Sequence, residues 1–153
     1  MTDITLRPYR PEDRADCLAL FDGNVPRYFA PDERAGFCRF LDELPETGWP
    51  YLVLEEAGQV VACGGLIADE GGRQVSLSWG MVARSRHRSG LGRRLTLARL
   101  DQARAMPGIG RVVIETSQHT RGFYEGLGFR LTALVPDGFG PGIDRCDMVL
   151  TLD

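Results

Sequence analysis

"RHRSGLGRRL", residues 86–95, sets Gly90 and Gly92 among arginines and runs straight into a helical pattern. Upstream, RQVSLSWGMV from residue 73 is a β-rich run. Downstream, LGRRLTLARLDQARAM puts Leu91, Leu95 and Ala98 on one helical face, and Pro107 and Gly108 end it. RVVIET, from Arg111, reads as the next strand. Strand, helix, strand between residues 74 and 116 implies a parallel pair joined by a right-handed crossover, hence an α/β fold.

Toward the N-terminus, YLVLEE from 51 and VVACGGLIAD from 60 are two further β-rich runs. Gly58 lies between them and Gly71-Gly72 before the next, so hairpin turns should make all three antiparallel neighbours. ITLRPY, residues 4–9, alternates with the period of a half-buried first strand. Pro11 opens a helix carrying Ala15, Leu18 and Phe21 to a stop at Gly23. A second helix is expected after Ala30, with Pro31, Asp32 and Glu33 in its first turn and Phe37, Phe40, Leu41 and Leu44 on its face, stopping at Pro45. Past RVVIET come a short helix around 119–127 and two last strands, FRLTALVP and DRCDMVLTL. The expectation is a single domain over residues 1–153, with a mixed central sheet of about seven strands flanked by about four helices.

Length and composition fit that expectation. With 43% hydrophobic and 25% charged residues, 153 residues suffice to bury one core. A net charge of -3 argues against a general nucleic-acid binder, which needs a broad basic face. All 18 basic residues are arginine, so any anion site must be local and guanidinium-based. Cys17, Cys38, Cys63 and Cys146 are scattered, with no CxxC pair and no metal spacing, so reduced thiols and no metal are expected. The N-terminus lacks the apolar stretch of a signal peptide and no run approaches a membrane span, which makes the cytoplasm the expected address.

A helix N-terminus offers unpaired backbone N–H groups and partial positive charge, and glycines before it let a phosphate approach. A nucleotide P-loop needs Gly-Lys-Ser/Thr, but Gly92 is followed by Arg93-Arg94. A dinucleotide fingerprint fails at Leu95, where the last glycine belongs. Taken alone, the loop also reads as a solvated, arginine-rich turn. His87-Arg88-Ser89-Gly90-Leu91-Gly92, however, resembles the acyl-CoA loop of the GNAT superfamily of N-acetyltransferases, R/Q-x-x-G-x-G/A, with His87 in the Arg/Gln position.

TRGFYEGLGF, residues 120–129, looks like the second GNAT motif, with Phe123-Tyr124 on a short helix and Gly128-Phe129 at its end. Ser117 and Thr120 stand where the family often has asparagine and alanine. Independently of the family, Gly128 suits the left-handed residue that closes a helix, and Tyr124 lies about 100° around the axis from Phe123, free to reach a cleft. A tyrosine there is also compatible with plain core packing, its hydroxyl bonded to backbone.

The resemblance covers almost the whole chain and implies a GNAT fold and an acetyl-CoA-dependent transfer to a primary amine of a small molecule or peptide. By resemblance, the donor's pyrophosphate would rest on the amides of residues 88–93, with Arg88, Arg93 or Arg94 available for the phosphates. Its pantetheine arm would pair with the strand edge around Met81, Val82 and Arg84, and Ser117, Thr120 and Phe123 would face it. Tyr124 would be the general acid toward the thiolate, since a phenol is protonated at neutral pH. Glu115, at the carboxyl end of a parallel strand, is a candidate base, although it could equally pair with Arg111 or Arg121. Asp147 or a water is the alternative, and Ser76 and Ser78 bring no acid to their strand. For His87 and His119, a local hydrogen bond or cap is the expected role.

Acceptor choice would fall to Asn24, Arg27, Tyr28, Phe29 and Asp32 at one end and Asp137, Phe139, Asp144 and Arg145 at the other, a set that suits an ammonium or a carboxylate. A non-catalytic acyl-CoA sensor with the same fold is the rival reading. Dimerisation through a strand edge is compatible with either.

Overall fold

The computed structural model describes residues 3–152. Seven strands form one sheet in the order β1-β2-β3-β4-β5-β7-β6. The chain begins with β1 (Ile4–Pro8), then α1 (Arg14–Gly23) and α2 (Arg34–Thr47), each helix led in by a 3-10 turn whose first residue is a proline, Pro11 and Pro31. The antiparallel run β2 (Tyr51–Glu56), β3 (Gln59–Ala68) and β4 (Gln74–Val82) follows, as the hairpin signals require. Helix α3 (Leu91–Ala105) crosses over to β5 (Arg111–Thr116), which pairs parallel with β4. The short α4 (Arg121–Gly126) leads to the closing hairpin of β6 (Arg130–Gly140) and β7 (Ile143–Thr151).

The layering follows from the alternation of side chains along the strands. On one face, Tyr51, Val53, Cys63 and Met81 pack under α1 and α2 against Cys17, Phe21, Phe37 and Leu41. On the other, Leu52, Leu54 and Ala62 meet Leu91 and Leu95 of α3, and Leu66, Val75, Leu77 and Val112 meet Leu100, Ala103 and Tyr124. β2 and β3 are therefore buried on both faces, which is why they read as continuous apolar runs rather than alternating ones.

Three local expectations need correction. Pro45 does not stop α2; the helix runs to Thr47 and closes on Gly48 at φ +69°, whose N–H bonds the Leu44 carbonyl at 2.9 Å. A proline in the last turn forfeits only one helical hydrogen bond, so the left-handed glycine sets the end instead. In β1, an edge strand, Leu6 is exposed while Arg7 turns inward to Asp13 and Glu55, both at 2.8 Å. The last hairpin is longer than its apolar runs, because β6 continues through Pro136 to Gly140.

Between β3 and β4 the register shifts: Met81 lies opposite Cys63 and Ser78 opposite Gly65, so Trp79 and Gly80 together face Gly64. This is a β-bulge. Trp79 takes φ +48°, a left-handed conformation that costs a non-glycine residue roughly 1–2 kcal/mol. Stacking of its ring on Phe37 at 5.1 Å and Phe29 at 6.4 Å offsets that cost and fixes the bulge.

Candidate functional site

β4 and β5 pair at only three positions, Gln74 with Arg111, Val75 with Val112 and Ser76 with Val113. Beyond Ser76, β4 is held by β3 alone and β5 by β7 alone. A cleft of about 1090 Å³ is lined by both strands past that point, from Ser76 to Val82 and from Val113 to Ser117. Helix N-termini, the bulge and the α1–α2 connection converge on it, as they do at the carboxyl ends of parallel strands in open sheets generally.

One end of the cleft is the glycine loop. Gly90 sits at φ +86° and Arg88 at φ +66°, and Arg94 N–H is the first to close a helical bond, to the Gly90 carbonyl at 3.0 Å. The amides of Leu91, Gly92 and Arg93 thus have no helical acceptor and face outward from the start of α3. His87, Arg88, Gly90, Gly92 and Arg93 line the cleft. Ser89, Leu91 and Arg84 do not: the Ser89 hydroxyl bonds the Arg86 carbonyl, Leu91 is core, and Arg84 lies 5.7 Å from the Tyr28 ring. Arg86 is committed to Glu56, whereas Arg88 and Arg93 form no ion pair among the described residues.

Met81 and Val82 line the cleft on the β4 side. The Val82 carbonyl is already taken, by Asn24 Nδ2 and by His87 Nε2, each at 3.0 Å. His87 is therefore a local hydrogen-bonding residue, and the buried Asn24, which also bonds the Leu20 carbonyl at 2.8 Å, ties the end of α1 to the end of β4. The bulge carbonyl of Trp79 accepts from the Tyr51 hydroxyl at 2.8 Å.

The second motif forms the opposite wall. Ser117 is buried; its hydroxyl accepts from His119 N–H at 3.2 Å and its carbonyl from Thr120 and Arg121 N–H, both at 3.1 Å. The Thr120 hydroxyl bonds that of Thr116. Gly128, at φ +98°, closes α4, and Phe129 folds back edge-on to Tyr124 at 5.5 Å between ring centroids. Tyr124 is 8% exposed, packs into the core beside Phe129 and lines the cleft with Phe123; its hydroxyl forms no hydrogen bond among the described residues, so the ring is core-packed as the plain alternative has it but is not bonded to backbone. Glu115 also lines the cleft and pairs with neither arginine suggested for it: Arg111 bonds Gln74 at 2.7 Å, and Arg121 faces Glu125 at 3.5 Å. Asp147 is tied to Arg145 at 3.0 Å.

Among the acceptor-end residues, Asp137 and Asp144 are spent on the β6–β7 turn, accepting from Gly142 N–H at 2.8 Å and Asp137 N–H at 3.0 Å. Asp32 does not line the cleft, but its neighbour Glu33 does, and burial pushes the Glu33 carboxyl above its ordinary range while the Ala30 N–H, at 2.8 Å, holds it in place. Tyr28 crosses the mouth, edge-on to His87 at 5.0 Å and to His119 at 5.6 Å. Phe29, Trp79 and Phe139 add apolar wall.

Glu33, Trp79 and Arg99 are lining residues that the motifs do not name. Glu33 carried a signal, an acid three residues after Ala30 in a capping position. So did Arg99, the polar break in the apolar row Leu91, Leu95, Arg99 of α3. No group of three or more metal-ligating side chains occurs among the described residues, and none of the described helices is long and apolar enough to cross a membrane.

Comparison with known proteins agrees with this geometry. The family model described as an acetyltransferase (GNAT) domain matches residues 39–152. No curated protein matches the sequence significantly. Among solved structures, YncA of Salmonella typhimurium with its cofactor acetyl-CoA is 24% identical, with 99% of this chain and 95% of that one aligned and a TM-score of 0.79. Ribosomal-protein-alanine N-acetyltransferase from Brucella melitensis is 22% identical over 97% and 99% of the two chains, TM-score 0.78. The ribosomal-protein-S18-alanine N-acetyltransferase from Escherichia coli is 18% identical over 99% and 95%, TM-score 0.77. At these identities the structures attest a shared fold.

Proposed function

Because this chain belongs to the GNAT acetyltransferase family, we propose that its cleft takes acetyl-CoA as donor and passes the acetyl group to a primary amine of a small molecule or peptide by direct attack. The observation that carries this reading is the divergence of β4 and β5 after Ser76 and Val113, which opens a cleft walled by both motifs. The donor's pyrophosphate would meet the unbonded amides of residues 91–93 and the unpaired Arg88 and Arg93. Its amide-bearing arm would run along the free edge of β4 by Met81, with the Val82 carbonyl excluded by its two existing partners.

Tyr124, buried but unbonded at its hydroxyl, would give a proton to the departing sulfur. Glu115, free of arginine partners, would accept the proton from the amine directly or through water. Glu33 among Phe29, Trp79 and Phe139 suits a cationic acceptor, because a carboxylate framed by aromatic rings attracts an ammonium. Arg145 is occupied by Asp147, whereas Arg27 lines the cleft with no ion pair among the described residues and would suit a carboxylate beside the amine.

Calorimetric titration with acetyl-CoA, with ATP and NAD as controls, tests the donor. Selective binding is expected, and its absence would overturn the transferase reading. Tyr124→Phe then separates enzyme from sensor: the variant should bind acetyl-CoA as the parent does but lose about 100-fold in kcat with any amine the parent acetylates.

A further inference from the structure

Arg99 is 1% exposed. Its guanidinium enters no ion pair among the described residues. It donates one hydrogen bond, from Nη1 to the Gly65 carbonyl at 3.3 Å, and Nε has no partner at all. The same side chain lines the cleft. It rests against the bulge itself: a Cβ built on Gly80 would lie 2.6 Å from Nη2, and one on Gly64 2.9 Å from Cζ. Glycine at both positions is what lets the guanidinium reach there.

A guanidinium keeps its charge in any protein interior, and a buried charge without a counter-ion weighs heavily against folding. An aliphatic residue would complete the apolar row of α3 without that cost. The feature therefore asks for a negative partner that is absent from the resting chain. The donor's phosphates are unsuited to the part, because Arg99 lies eight residues past Leu91, about 12 Å further along α3. What the proposed reaction generates at the other end of the donor is an oxyanion.

We propose that Arg99 is a catalytic residue whose guanidinium faces the thioester oxygen of the bound donor and stabilises the negative charge that develops there. The inference rests on the acetyl-CoA reading above. As the acceptor nitrogen bonds to the thioester carbon, the carbonyl π pair moves onto oxygen, and Arg99 holds that charge without releasing a proton. When the C=O bond re-forms, the C–S bond breaks and the sulfur keeps its electron pair; Tyr124 supplies its proton, and the surplus proton on nitrogen passes to Glu115 or water. Between turnovers, solvent returns a proton to Tyr124 and takes up the one passed to Glu115.

The test needs no acceptor. Acetyl-CoA labelled with ¹³C at the carbonyl is bound to the wild type, Arg99→Leu and Arg99→Lys, and the carbonyl stretch is read by isotope-difference infrared spectroscopy beside calorimetric affinity and Tm. The expected result is a band shifted to lower frequency on binding to the wild type, a shift largely lost in Arg99→Leu and partly kept in Arg99→Lys. CoA affinity should change less than threefold, and the Tm of Arg99→Leu should be equal to or above the parent's. A band that is the same in all three proteins overturns the assignment, as does a drop in Tm with both variants, which would make Arg99 structural. A succinyl-CoA preference that disappears in Arg99→Leu also overturns it, by making the residue a selector of acyl chain. Failure of the wild type to bind acetyl-CoA would instead remove the transferase reading beneath it.

Discussion

The hydroxyl of Tyr51 donates to the carbonyl of Trp79 at 2.8 Å, so the oxygen released by the bulge in β4 is answered from β2, two strands away. Tyr51 is buried and desolvation holds its phenol well above the ordinary range, which favours the protonated, donating form.

Removing that donor should loosen the bulge. Tyr51→Phe keeps the ring, which meets Tyr9 and Phe40, but leaves the Trp79 carbonyl unanswered. The expected loss is about 1–2 kcal/mol in urea denaturation, together with weaker acetyl-CoA binding. Full stability with unchanged affinity would show that the bulge is held by ring stacking alone.

Acid stability should depend on Asp13. The Arg7 guanidinium, bonded to it at 2.8 Å, holds its carboxyl below the ordinary range, helped by the Arg10 N–H at 2.8 Å. A carboxyl whose folded pKa is depressed stabilises the fold above its unfolded value, about 3.9, and loses that contribution as pH falls through the folded one. Asp13→Asn should therefore cost about 2–3 kcal/mol at pH 7 and flatten the stability profile below about pH 4. Denaturation curves across that range check both the size and the direction.

Glu33 has the opposite sign. Burial raises its carboxyl, so ionisation works against folding, and the penalty grows as pH rises through its folded pKa. Glu33→Gln keeps an oxygen for the Ala30 N–H and should leave Tm at pH 7 unchanged or higher. With a cationic acceptor, KM should rise about tenfold while kcat changes little, the loss expected of one charged contact. An unchanged KM would exclude Glu33 from acceptor binding.

Gly92 lines the cleft at the first turn of α3, where an added Cβ would only touch the Val82 side chain at 3.6 Å. Gly92→Ala should fold and bind. Gly92→Glu should fold too, but lose acetyl-CoA affinity at least 100-fold, because its carboxylate would stand where the phosphates are to rest. Undiminished binding would place the phosphates elsewhere.

The fold was legible where one force dominated. The hairpins announced themselves through Gly58 and Gly71-Gly72, and the parallel pair through the strand, helix, strand order from 74 to 116. The two motifs were legible because glycine spacing reports backbone conformation directly, as Gly90 and Gly128 bear out with φ of +86° and +98°. The rest depended on contacts that no local pattern encodes. Nothing around Asp137 and Asp144 says that both serve a turn rather than a substrate, and nothing around Asn24 says that its amide reaches Val82. Arg99 broke an apolar row in plain view, yet its meaning required Gly64 and Gly80, residues from two other strands.

The early parting of β4 from β5 also bears on self-association. An interior strand with six residues past its last parallel partner presents a template for β-addition, the kind of edge from which aggregation grows. Here that template lies between the walls of a cleft, with Tyr28 across the mouth and Tyr124 and Phe123 opposite. The molecule thus leaves hydrogen-bonding capacity open in the middle of its sheet, inside a walled cleft rather than along an outer edge.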